Sequence, residues 1–334
     1  MKVKGIGAAL VLASLAGTTM SASASETIRL EWVMQGQFAG FIVAHHEGYY
    51  EDLGLELDLM PAGPDLRPGV TVSQGTDTFG VGHPNQVLSA RSNEVPMVMV
   101  MQHGNRSATT YVSKKEKGIE AVEDVAGQSV GLWFGGDEHE FMAMMGAAGV
   151  SRDDVTVISQ GYSIGPWLEG QYDVTQVARY NELLQIHDQG YGPEDLNRLD
   201  PEDYGVALVS GGVFVLERTV EEHPEKVQAL VEASLRGWKD AFSDPRAAAE
   251  IVVKYNDELE PEFQTRQIEA MRDLACAGPA LEGRFGYVDK AAWETTQDVM
   301  LEAGLLREPM DLDAAIVNSF WEDSPDSYKE IVCS

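Results

Sequence analysis

Residues 27–60 read TIRLEWVMQGQFAGFIVAHHEGYYEDLGLELDLM. The apolar run Thr27–Met34 predicts a strand, and Gln35-Gly36-Gln37-Phe38 follows it as a junction. Ala39–Gly48 then reads as a helix closed by Gly48, and Leu55–Met60 as a second strand entered from the turn residue Gly54. Two strands joined by a helix are the unit from which parallel sheets are built, so the stretch predicts an α/β fold.

The same alternation continues outward. Thr78–Val81, Val95–Gln102 and Ala108–Ser113 are strand candidates, the middle one almost wholly apolar, as a strand covered on both faces should be. A first lobe is complete on this reading by residue 112. A second unit runs from about 113 to 205, with strands at Ser129–Trp133, Val155–Ser159 and Asp173–Val177, and a helix opened by Gly135-Gly136 and running through Ala148. Val206–Leu216 is apolar enough to return as a strand to the first lobe. The expected architecture is therefore two α/β lobes, each a mostly parallel sheet flanked by helices: residues 25–112 with 206–334, and 113–205. The chain would cross between them near Ala108–Ser113 and Gly205–Gly211.

Beyond the return, Val227, Leu230, Val231, Ser234, Leu235, Trp238 and Phe242 fall on one helical stripe. Asp244-Pro245 has the order of an N-cap and first-turn proline, and Ala291–Ala303 and Leu312–Phe320 are the last predicted helices.

At the other end, Lys2 and Lys4 precede the uncharged run Ile6–Ala16 and then Ala22-Ser23-Ala24, the pattern of a cleaved secretory signal over residues 1–24. The apolar run is too short to span a bilayer, and no cysteine follows the cleavage site to carry a lipid. Export predicts a disulfide-permissive compartment, where Cys276 and Cys333 could pair; sequence alone leaves that open. The formal net charge of −30 disfavours nucleic acid and anionic lipid as partners.

Several chemistries find no support. His139-Glu140 is not followed by the second histidine of an H-E-x-x-H zinc helix, and no C-x-x-C occurs. There is no G-x-S-x-G elbow, and Gly80-Val81-Gly82 and Gly161–Gly165 lack dinucleotide or P-loop spacing. What remains are strand-to-helix junctions, where ligands collect in open α/β sheets. Trp32, Gln37 and Phe38 lie at the first, and His83 and Asn85 follow Phe79-Gly80-Val81-Gly82 at another. Trp133, Gly135, Gly136 and Glu138 offer a ring and, at a helix start, backbone N–H groups able to hold a polar or anionic group. Tyr180-Asn181-Glu182 places a ring, an amide and a carboxylate in a row. Each segment could equally serve packing, and Glu182 could simply complement a helix dipole.

Gln37-Phe38-Ala39-Gly40-Phe41-Ile42-Val43-Ala44, Glu47-Gly48-Tyr49-Tyr50, Phe79-Gly80-Val81-Gly82, Leu88-Ser89-Ala90-Arg91, Tyr180-Asn181-Glu182 and Gly286-Tyr287-Val288-Asp289 together resemble the SsuA/ThiY-like family of ABC-transporter binding proteins. The resemblance is strongest to its thiamine-pyrimidine-precursor branch and covers nearly all of the chain past residue 24. It implies a type II periplasmic binding protein fold and a monomer that closes on a ligand and delivers it to an inner-membrane permease, with no cofactor and no catalysis. By the same resemblance Trp32 and Tyr180 stack on the ligand, Gln37, Asn85 and Gln102 make polar contacts, and Glu182 accepts from a ring amino group. Related branches take riboflavin, sulfonates such as taurine, or nitrate, and a thiamine-pyrimidine synthase resembles the same fold but uses a cysteine-rich segment that this chain lacks.

Overall fold

The computed structural model describes Met1 and residues 25–333. The predicted signal peptide lies outside the described residues. Among the described residues, ten strands form two five-stranded sheets. They are β1 (Glu26–Arg29), β2 (Leu57–Met60), β3 (Phe79–Gly82), β4 (Met97–Gln102), β5 (Thr109–Lys114), β6 (Ser129–Leu132), β7 (Thr156–Ser159), β8 (Val174–Ala178), β9 (Leu196–Leu199) and β10 (Gly212–Leu216).

The first sheet has the order β2-β1-β3-β10-β4 and the second β7-β6-β8-β5-β9. In the first, β1 runs parallel to β2 and β3, while β10 is antiparallel to β3 and β4. In the second, β6 runs parallel to β7 and β8, while β5 is antiparallel to β8 and β9. Each sheet thus has one strand running against its four companions, and in each it is the strand entered directly from the other lobe. The C-terminal ends of the remaining strands open toward the gap between the sheets.

Three details differ from the sequence reading. β5, expected to finish the first lobe, lies inside the second sheet, pairing Thr110 with Val177 and Tyr111 with Leu199. The first crossing therefore precedes Thr109. β9, Leu-Asn-Arg-Leu, was not anticipated, because four residues with two polar ones give almost no periodic signal. The predicted helix Leu312–Phe320 is two short turns, Leu312–Ala315 and Ser319–Asp323.

The amphipathic stripe forms the helix Pro224–Ser243, with Val227, Leu230, Val231, Ser234, Leu235, Trp238 and Phe242 all buried. It packs on the helix Ala39–His46 through two glycines. A Cβ on Gly40 would lie 2.1 Å from the Trp238 ring, and one on Gly237 would lie 2.1 Å from the Gly40 carbonyl oxygen. This backbone-close contact fixes the helix that follows the Gln35–Phe38 junction. The long helix Pro261–Ala275 then presents Gln264 and Gln267, both buried, to that junction. Cys276 and Cys333 are joined, tying the C-terminal tail to the end of this helix.

Candidate functional site

A cavity of about 590 Å³ lies where the two sheets face each other. That size suits a drug-sized or smaller organic molecule. The first lobe lines it with Glu31, Trp32, Gln37, Arg67 and His83, and the second with Trp133, Gly135, Gly136, Asp137, Glu138, Gln176, Tyr180, Asn181 and Glu182. Nearly all of these follow the C-terminal ends of β1, β3, β6 and β8, where a strand stops and its side chains are no longer committed to a sheet face.

Aromatic side chains from opposite lobes meet across the gap. Trp32 contacts Trp133 edge to face, with ring centroids 5.7 Å apart, and packs against Tyr162 at 4.7 Å. Trp133 is held in place because its Nε1–H donates to the Gly161 carbonyl at 3.1 Å and its backbone N–H donates to Gln176 Oε1 at 2.9 Å. Tyr180 lines the same cavity, and its hydroxyl stays protonated: burial, together with the charges of Glu31, Glu182 and Asp137, raises its pKa well above the ordinary phenol value.

Glu182 is 3% exposed and still lines the cavity. The Ala178 backbone N–H donates to its Oε2 at 3.0 Å, and the Asn181 amide donates to its Oε1 at 2.6 Å. Burial outweighs these donors and pushes its pKa up to about 7. Asn181 Oδ1 in turn accepts from Gln267 Nε2 of the first lobe at 3.0 Å, while Gln267 Oε1 accepts from the Gln37 backbone N–H at 3.1 Å. One glutamine side chain thereby connects both junctions that carry the candidate ligand groups.

A second acidic centre joins the lobes. His83 Nε2 lies 3.2 Å from Glu31 Oε1 and 3.6 Å from Asp137 Oδ1, making these the one such cluster with metal-ligand spacing among the described residues. The chemistry of the set argues against a metal. The Gly211 backbone N–H donates to His83 Nδ1 at 2.9 Å, so the ring proton of the neutral imidazole sits on Nε2, the atom that would have to bind the ion. Burial opposes an imidazolium here and the carboxylates outweigh it, raising the His83 pKa, but a second ring proton would displace the Gly211 contact. Asp137 can take a proton without that loss, and burial together with the Glu31 charge pushes its carboxyl up to about 7.

Residues 35–248 match the model of the family described as NMT1/THI5 like. The chain belongs to the NMT1/THI5-like family. This NMT1/THI5-like protein is 28% identical to the riboflavin-binding protein RibY of Chloroflexus aurantiacus, over 88% of this chain and 85% of that one. It is 27% identical to the formylaminopyrimidine-binding protein of Halalkalibacterium halodurans, over 86% of this chain and 88% of that one. Among solved structures, the periplasmic nitrate-binding protein NrtA of Synechocystis PCC 6803 superposes with a TM-score of 0.69 at 13% identity, covering 90% of this chain and 88% of that one. The last likeness concerns the fold, which is that of the periplasmic binding proteins.

In this NMT1/THI5-like chain the structure brings Trp32, Gln37, His83, Trp133, Gly135, Gly136, Glu138, Tyr180, Asn181 and Glu182 to the cavity. Three expected residues lie elsewhere. Phe38 is 1% exposed and belongs to the first lobe's core, because the tight turn at Gly36–Phe38 rotates its ring inward. Gln102 is consumed by the fold: its Nε2 donates to the carbonyls of Gly104 and Ser210 at 2.9 and 2.8 Å, and its Oε1 accepts from Trp293 Nε1 at 3.1 Å. Asn85 donates across the lobes to the Gly136 carbonyl at 2.7 Å, beside the cavity and not in it.

The anion-holding reading of Gly135-Gly136 is corrected as well. The helix begins at His139, and both glycines, with φ of +109° and +118°, belong to a loop that precedes it. Their N–H groups already donate to Glu138 Oε2, at 3.0 and 2.8 Å, so the protein supplies its own anion there. Glu31, Asp137, Tyr162, Gln176 and Gln267 were not singled out from sequence. Asp137 sits within a junction that the sequence points to, Tyr162 lies in the Gly161–Gly165 fragment set aside for lacking P-loop spacing, and Gln176 stands out as an amide inside an apolar strand. Nothing local marks Gln267, which is 230 residues from the Gln37 it supports.

Proposed function

We propose that the protein is the solute-binding component of an ABC importer, exported to the periplasm, and that it captures a small nitrogen-bearing aromatic ring by closure of its two lobes. The observation that carries the reading is the composition of one cavity: Trp32, Trp133 and Tyr180 from both lobes, with the buried Glu182 among them. Flat rings gain dispersion and quadrupole contacts from such walls, and a carboxylate accepts from a ring N–H or amino group through a charge-assisted hydrogen bond. Gln37 supplies a neutral polar contact, and Asn181, whose Oδ1 already accepts from Gln185 and Gln267, offers only its second amide N–H. The family relatives named for a formylaminopyrimidine and for riboflavin support a ring of this kind.

Sulfonate and nitrate fit poorly. The cavity lining holds the carboxylates of Glu31, Asp65, Asp137, Glu138 and Glu182 against one guanidinium, Arg67, which is exposed. An oxyanion entering there would face like charges in a partly desolvated space. The chain acts as a monomeric carrier, its partner being a membrane permease that receives the closed form, and it catalyses nothing itself.

Titration calorimetry against a formylaminopyrimidine, riboflavin, taurine and nitrate tests the reading. Heat with one or both rings and none with the two anions is the expected result. Saturable binding of taurine or nitrate with no response to either ring overturns it.

A further inference from the structure

The charge inventory of the cleft points further than a ring with an amino group. Carboxylates gather at two places around the aromatic walls. Glu182 lies beside Tyr180 and Asn181, and Glu31 and Asp137 flank His83. The one site built from backbone donors, at Gly135 and Gly136, is satisfied by Glu138. Arg67, the sole guanidinium, lies over the Gly135 backbone, where a Cβ would meet its Nε at 2.6 Å.

A surface of many carboxylates accounts for acidic side chains in contact with solvent. It does not account for the buried Glu182, nor for the half-buried Glu31 and Asp137, which share the single histidine His83 and line the same cavity. Buried like charges repel and are desolvated, and a protein tolerates them where a proton or a bound cation compensates. Aromatic faces add to the same preference, because their quadrupoles attract positive charge, most strongly where water is excluded.

We propose that the cleft selects a positively charged ring, with Glu31 and Asp137 as a second anchoring pole beside Glu182. The inference rests on the proposed ring-binding reading and narrows its ligand to an organic cation such as a protonated or N-alkylated nitrogen heterocycle. On binding, the ligand's charge replaces the proton that burial favours on Asp137 beside His83, and that proton leaves to solvent. The groups facing this cluster are Arg67 and Glu138 from the adjoining loops, Glu140 from the helix His139–Ala148, the buried His103, which burial keeps neutral, and the Tyr180 hydroxyl. None of them except Arg67 supplies positive charge, and Arg67 is exposed to solvent.

An isosteric pair tests the proposal. The 1-methyl-4-aminopyridinium cation and neutral para-toluidine have the same shape and differ by the ring charge. Calorimetric titration at pH 7.5 should show the cation binding at least about tenfold tighter, the scale of a desolvated cation–π contact with an added ion pair. Asp137→Asn and Glu31→Gln should each weaken the cation about tenfold more than they weaken para-toluidine. Equal affinity for the pair, or loss in neither variant, overturns the proposal. If riboflavin or the formylaminopyrimidine binds tightly while the pyridinium does not, the cation preference is wrong and the ring-binding reading stands. If no ring of any charge binds, the reading beneath both is wrong.

Discussion

Gln267 of the first lobe donates to Asn181 of the second at 3.0 Å, and the same side chain accepts from the Gln37 backbone at 3.1 Å. The helix carrying Gln267 therefore does for the cleft what neither junction can do alone. It sets the distance between the Trp32 and Glu182 sides of the cavity when the lobes are together.

Replacing Gln267 by alanine should weaken ligand binding more than it weakens the fold. Two hydrogen bonds between buried partners are lost, each about 1 kcal/mol, so the affinity should fall roughly tenfold or more. Small-angle scattering of the unliganded variant should show a larger radius of gyration than wild type. An unchanged affinity would mean that closure does not use this connection.

Glu182→Gln keeps the shape and the Asn181 neighbourhood but removes the charge. A charge-assisted hydrogen bond contributes about 1.5–3 kcal/mol, so affinity for an amino-bearing ring should fall roughly tenfold to a hundredfold. Calorimetry of the variant beside wild type checks this. Equal affinity would remove Glu182 from the set of ligand contacts.

Stability should fall as the pH rises through neutrality. Glu140 accepts from the Leu208 backbone N–H at 2.7 Å and from the Ser107 hydroxyl at 3.0 Å, so one buried carboxylate of the second lobe joins the two crossings between the lobes. Burial pushes its pKa up from 4.5 to about 7, and Asp137 and Glu182 are raised to about 7 as well. A carboxyl whose folded pKa is raised binds more protons folded than unfolded. Its stabilising share is complete below its unfolded pKa and is lost as the pH passes its folded value. The carboxylates held low, such as Asp173 at about 2, titrate far below this window, while His103, held down to about 3 by burial, opposes the trend below pH 6.5 as one group against three. The melting temperature should therefore be higher at pH 5.5 than at pH 8. Glu140→Gln should flatten that difference, and an unaltered slope would show that Glu140 is not among the groups responsible.

The Cys276–Cys333 bond closes a loop of 57 residues. Loop-closure entropy for that length corresponds to about 4 kcal/mol at most, so reduction or Cys276→Ser should lower the melting temperature by several degrees. No change in ligand affinity should accompany it, since neither sulfur borders the cavity. A melting temperature insensitive to reductant would contradict the estimate.

The βαβ opening and the amphipathic helix were legible because their periodicity is local: Trp238 and Phe242 fall on one stripe whatever they touch. The partner of a strand is not local information. Thr109–Lys114 looks the same in either sheet, and only pairing with Val174–Ala178 and Leu196–Leu199 puts it in the second. The junction residues were legible as a class, since strand ends in open α/β sheets face a crevice. Which of them turn into the crevice was not. Gln102 offers the same amide as Gln37, yet three backbone carbonyls and Trp293 draw it into the frame. Gly135 and Gly136 look like free donors in the sequence, which does not reveal that Glu138 folds back onto them.

The most direct test of the account is a crystal structure of the protein grown with the ring that it binds. Electron density for that ring is expected between the two lobes, in contact with Trp32 and Tyr180 and within hydrogen-bond distance of Glu182. Density at any other place on the molecule, with the Trp32–Tyr180 gap holding only water, would contradict it.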